Sequence, residues 1–345
     1  MRTELALPLA ARRTFRFAMV AALSLAVAYG FDTSLPFLAP IFAFFLTASP
    51  APPMGPKGLV GLLLVVSITL GVGLVLTPVL RHYPATGVLL VATGLFASTF
   101  LGVGKGKGAV STLLSIGLTM IPAAALMEHA LARSIVEALL VGIGTAIACQ
   151  WIVYPFVPED ARVAKPAPAP AADAREASWL ALRTMLIVLP PVLMAFTNPS
   201  AYMAIIMKAV LLGQQGSMVK ARAAGKELLG STFLAGFFAL VFWVALRPWP
   251  SLWMFFLLML LFAGYLGGKL YGAIATRFPA SFWLNTGVTM LILLGPAVED
   301  SKGGDLGSAF VQRFLLFVAV TVYAWCAILV LERLREGMLR PPVSA

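Results

Sequence analysis

PFVPEDARVAKPAPAPAADAREAS, residues 155–178, interrupts a chain that is apolar on both sides of it. Proline and alanine alternate here among acids and bases, a composition that stays semi-extended and has too little apolar surface to form a core. Outward from this linker the character reverses. Of the 345 residues 60% are hydrophobic and 11% charged, and the mean hydropathy is +0.94. A water-soluble domain carries about a quarter charged residues, so the sequence predicts an all-α, polytopic membrane protein.

Apolar runs suited to about 30 Å of hydrocarbon fall at 15–31, 58–77, 85–103, 109–127 and 134–154 before the linker. After it they fall at 180–196, 228–246, 252–268, 280–297 and 309–331. Two shorter runs, 35–48 and 201–213, raise the expected crossings from ten to twelve if they span fully, and leave ten if they are re-entrant. The N-terminal ARRTFRFAMVAALSLAVAYGFD resembles a secretory signal, with Ala26-Val27-Ala28 as a cleavage-like site. The same run also fits as the first span of a repeat, which favours a retained anchor.

Twelve crossings place most Lys and Arg on one side, including Arg12, Arg13, Arg16, Lys57, Lys105, Arg183, Lys226 and Arg333. Only Arg81, Arg133, Arg247, Lys302 and Arg313 fall opposite, with Lys208 inside the membrane. The positive-inside rule then puts both termini in the cytoplasm. It also explains the net charge of +11 without nucleic acid as a partner.

The two sides of the linker repeat each other. Each has a basic lead-in (Arg16, Arg183), a span ending at Phe31 or Phe196, a polar corner (DTSLP, TNPSAY), a short run and a basic loop with Lys57 or Lys226. A further basic loop, GVGKGKG or LGGKLYG, completes the series, at an offset of about 165 residues. The expected organisation is a first transmembrane repeat at 1–157, a linker at 158–178, a second repeat at 179–335 and a tail at 336–345. With about six helices in each half, the repeats run parallel, with a substrate path expected at their interface.

Motifs for chemistry are sparse. Cys149 and Cys326 lie in apolar runs without metal-ligand spacing, and GVGKGKGAVS lacks the spacing of a phosphate-binding loop. No metal, cofactor or catalytic constellation is expected. Glu128 and His129, with Arg133 one turn on, form a weak candidate proton relay. The short runs at matching repeat positions are the better pointer to a transport site. Lys208, in an apolar run with Gln214 and Gln215 beyond it, either lines a lumen or snorkels to the surface. Asn198 and Tyr202 join the candidate path from the corner before it, and Asp32 from the matching corner of the first half. Asp32 reads first as a helix cap ahead of TSLP, with a proton carrier or a distant partner of Lys208 as the alternatives.

The corners FDTSLPFLAPIFAFFLTASPAPP and FTNPSAYMAIIMKAVLLGQQGS, with the two-half layout, resemble the fusaric acid resistance and aromatic acid exporter superfamily. That resemblance implies a bacterial inner-membrane protein exporting organic anions, typically aromatic carboxylates, often with a periplasmic adaptor of the membrane-fusion type. The short linker marks a compact, membrane-only branch and leaves homo-oligomerisation open. The expected function is proton-coupled efflux of small organic anions by a non-enzymatic protein. A passive anion channel, a membrane-embedded enzyme and an inert structural subunit are the alternatives. Substrate identity and coupling ion are not legible.

Overall fold

The computed structural model describes residues 8–49, 51–106, 108–159, 173–216, 221–300 and 306–339. Within them the chain is helical throughout, with no strand. Before the linker come α1 (Leu9–Gly30), α2 (Leu38–Ala48), α3 (Pro56–His82), α4 (Pro84–Gly104), α5 (Gly108–Met127) and α6 (His129–Val153). After it come α7 (Ala174–Thr197), α8 (Pro199–Gly216), α9 (Ala221–Leu246), α10 (Leu252–Leu270), α11 (Ala280–Asp300) and α12 (Leu306–Leu339). Every apolar run of the sequence becomes a helix, because in lipid a helix satisfies its backbone polar groups within one segment. Among the described residues, nine helices are long and apolar enough to cross a membrane: α3 to α7 and α9 to α12. The chain is a multi-pass membrane protein.

The short runs behave differently from each other. α2 has 11 residues, about 16 Å of rise, too little to cross the hydrocarbon. Pro40 lies in its first turn, where proline removes no intrahelical bond, so the helix is short but unbroken. α8 has 18 residues because Pro199-Ser200 before the apolar run 201–213 and Gln214-Gln215-Gly216 after it are also helical. Pro199 is its first residue, a position suited to proline. The corner before α2 is tight: Asp32 and Leu35 have φ of 48° and 51°, a left-handed conformation that is unusual for a branched residue such as leucine. Asp32 does not cap α2. It follows Phe31, the C-cap of α1, and its N–H donates to the Tyr29 carbonyl.

Contacts gather the chain into two compact units, each drawing on both sides of the linker. One is Met1–Leu64, Ser134–Pro168 and Ser231–Phe314; the other is Val65–Arg133, Ala169–Gly230 and Leu315–Ala345. In the first, α1 packs on α2 and α10, α10 on α11, and α11 on α2. In the second, α7 packs on α8 and α4, α4 on α5, and α5 on α8 and α7. Counted from the start of each half, the same pattern appears twice: first and second helices of one half against fourth and fifth of the other.

The fifth helices are the inner ones. The apolar windows of α5 and α11 are 72% and 78% buried, against 28% for α3 and α12. Hydropathy runs the other way, 1.8 and 1.4 for the inner pair but 2.7 and 2.6 for the outer pair. Lipid-facing helices need apolar side chains all round, whereas protein-facing ones tolerate small and polar residues. Gly117 of α5 shows the closeness of that packing: a Cβ there would stand 2.2 Å from the Thr69 carbonyl oxygen of α3. At Gly287 of α11 a Cβ would stand 2.4 Å from the Phe44 ring of α2. That ring also stacks on Phe17 of α1 at 4.6 Å.

Candidate functional site

Lys208 stands in the middle of α8, which the second unit packs between α7 and α5. Its neighbours Ile205 to Leu212 are all buried, and Lys208 itself is 0% exposed. A snorkelling lysine leaves its ammonium at the surface, so the burial favours an inward orientation. Removing an ammonium from water is expensive unless protein groups or a ligand stabilise it, which makes the position functionally suggestive.

The other expected path residues lie in various settings. Tyr202, almost two turns before Lys208, is half-buried, while Asn198 is exposed beside Pro199 at the start of α8. Asp32 is exposed in the first unit. Gln214 and Gln215 continue the α8 backbone, but their side chains, like those of Ala201 and Ala204, lie outside the described residues. Glu128 and His129 are both exposed at the break between α5 and α6, where the Glu128 carbonyl accepts from the Ala132 N–H at 3.3 Å.

A second charged feature escapes a reading of the sequence by spans. In the first unit, three arginines of α1 close on the turn after α6. Arg13 donates to Glu159 Oε1 through Nε at 2.8 Å and Nη2 at 2.6 Å. Arg16 donates through Nη2 to Glu159 Oε2 at 2.6 Å and through Nη1 to the Val157 carbonyl at 3.3 Å. Arg12 reaches the Pro158 carbonyl at 3.5 Å. Arg16 also lies over the Tyr154 ring, 5.5 Å from its centroid, a favourable cation–π position. Burial alone would raise the pKa of Glu159, but the hydrogen bonds and positive charges of Arg13 and Arg16 together outweigh it and hold the carboxyl below its ordinary range.

The second unit carries the matching arrangement. Arg183 of α7 donates to Glu332 of α12 at 2.5 Å, and the Trp179 Nε1 donates to the same oxygen at 3.3 Å. Arg335 lies 5.4 Å from the Trp179 ring centroid. In each unit a buried arginine on the first helix of a half thus meets a glutamate at the end of that half. The basic lead-ins were visible in sequence as topology signals. Their carboxylate partners were not, since both lie far along the chain.

The inner helices carry a third repeated feature, a polar line at i, i+4, i+8: Ser111, Ser115 and Thr119 on α5, and Ser281, Asn285 and Thr289 on α11. Ser115 exchanges a hydrogen bond with Ser98 of α4 at 3.1 Å, and Asn285 donates to Ser231 of α9 at 2.5 Å. Such bonds fasten helices where lipid supplies no hydrophobic drive between them.

Residues 13–153 match the family described as "Protein of unknown function (DUF2955)", a match that ends just before the turn holding Glu159. No curated protein and no solved structure matches the chain.

Proposed function

We propose that the protein is an exporter of small organic anions, with aromatic carboxylates as the substrate class suggested by resemblance to the fusaric acid resistance and aromatic acid exporter superfamily. The observation that carries the reading is Lys208, fully buried on α8 of a multi-pass membrane protein. A buried ammonium gives a carboxylate a favourable place inside a low-dielectric bundle, where the same carboxylate alone would be strongly disfavoured. The proposal places the protein in a bacterial inner membrane with both termini in the cytoplasm. It assigns Asn198, Tyr202, Gln214, Gln215 and Asp32 to the path, and Glu128 and His129 to proton exchange. A periplasmic adaptor and a homo-oligomer are compatible partners.

The test is flux in proteoliposomes holding the purified protein. Under an imposed pH gradient and equal p-hydroxybenzoate on both sides, a proton-coupled exporter accumulates the anion on one side. A passive channel equilibrates labelled anion without net accumulation. Absence of any protein-dependent flux would remove both readings.

A further inference from the structure

Arg13 and Arg16 both donate to Glu159, the one carboxylate they meet among the described residues. Among the described residues two guanidiniums thus share one carboxylate at a largely buried place: the side chains of Arg16 and Glu159 are each 6% exposed, that of Arg13 19%. Surface ion pairs in water exchange freely and bind nothing, but here the fork geometry of arginine is already assembled and partly desolvated. Beside it lies a small cavity lined by Arg16, Val20, Pro53, Gln150 and Tyr154, with room for about one water molecule. Its walls combine apolar faces and an aromatic ring with a buried amide, Gln150, which has both donor and acceptor capacity. Glu159 lies at the start of the linker, just after the turn that ends α6, so its carboxylate is carried by a segment outside the packed helices.

We propose that Arg13 and Arg16 form a receiving site for the carboxylate of an organic anion, a site that Glu159 fills in this structure and gives up when the anion arrives. Glu159 is then an internal stand-in for the substrate: it neutralises the arginines while the site is empty and sets a threshold that only a better-placed carboxylate overcomes. The ring of an aromatic acid would extend from the arginines toward Tyr154 and Pro53 as the 154–159 turn moves aside. The substrate class rests on the exporter reading; the exchange with Glu159 rests on the geometry of the arginines.

The experiment is equilibrium binding of labelled benzoate at pH 7.5 to the full-length protein in lipid nanodiscs. Glu159→Gln keeps the shape of the side chain and removes its charge, so it is expected to tighten benzoate binding about tenfold. Adding Arg16→Gln to it should abolish the gain. Glu159→Asp, which withdraws the carboxylate by one methylene, should give an intermediate affinity. Unchanged or weaker binding by a folded Glu159→Gln protein would overturn the proposal and leave the pair as a fastening. Failure of both Glu159 variants to fold would also overturn it, because a carboxylate that cannot leave without unfolding cannot be exchanged. Flux by the unaltered protein separates this result from the exporter reading. Tightened binding without flux retains the site and removes export, and flux without tightening does the reverse.

Discussion

Arg183 and Glu332, on the first and last helices of the second half, meet at 2.5 Å as Arg16 and Glu159 meet at 2.6 Å in the first. Each pair closes its half on itself, while helix packing joins each half to the other. Breaking a fully buried pair by removing one partner costs roughly 3–5 kcal/mol. The Glu332 side chain is 22% exposed, so the cost here should be smaller. Arg183→Leu is expected to lower the thermal midpoint of the purified protein in detergent. The double variant Arg183→Leu/Glu332→Leu should recover much of the loss, since no unpaired charge remains. Equal midpoints for the single and double variants would show that the charges do not interact.

Glu159 predicts a dependence on pH. Its folded pKa lies below the ordinary value of 4.5, so the folded state binds the proton less readily than the unfolded one. The contribution to stability is therefore fully present above the ordinary value and is lost as the pH falls from there through the folded value. Wild-type protein should lose more stability than Glu159→Gln over that acid interval, and the two should run parallel at neutral pH. Chemical denaturation at a series of pH values measures this; parallel curves throughout would contradict it.

The close approaches of the inner helices predict unequal responses to the same change. Gly117→Ala directs its methyl at the Thr69 carbonyl, a backbone atom of α3 that can yield only if two helices separate. A loss of about 1–3 kcal/mol is expected from such overpacking. Gly287→Ala meets the edge of the Phe44 ring, a side chain that can rotate, and should cost less. Thermal unfolding of the two variants checks the order; a larger effect at Gly287 would reverse it.

The neighbour pattern predicts mutual dependence of the halves. Because α1 packs on α10, α2 on α11, α4 on α7, and α5 on α7 and α8, residues 1–165 expressed alone leave each of these helices without its partner from the second half. Neither 1–165 nor 166–345 should accumulate as a monodisperse species alone, whereas co-expression should yield a complex that co-purifies. A stable, monomeric first half would contradict this packing.

Much of the fold is legible in the sequence because lipid makes hydropathy decisive: all twelve apolar runs are helices. What could not be read was which helices meet. Nothing in the sequence of α1 names α10 as its neighbour, since both are apolar and their packing depends on small residues such as Gly267 beside Phe17. The length of α8 was underestimated because Gln214 and Gln215 are good helix formers that hydropathy counts as an end. Lys208 stood out as a charge in an apolar run, but its complete burial is a fact of packing. In the sequence Arg13 and Arg16 are topology signals; only folding brings Glu159 to them.

Flux of p-hydroxybenzoate by Lys208→Met protein, compared with wild type at matched reconstitution and under the same pH gradient, tests the central claim most directly. Methionine keeps the length of the side chain and removes the charge, so the helix should insert and pack at least as well. Protein-dependent flux is expected to fall at least tenfold, and Lys208→Arg should keep part of it, since charge is retained while shape and hydration change. Wild-type flux through Lys208→Met would contradict the claim that this ammonium receives the anion.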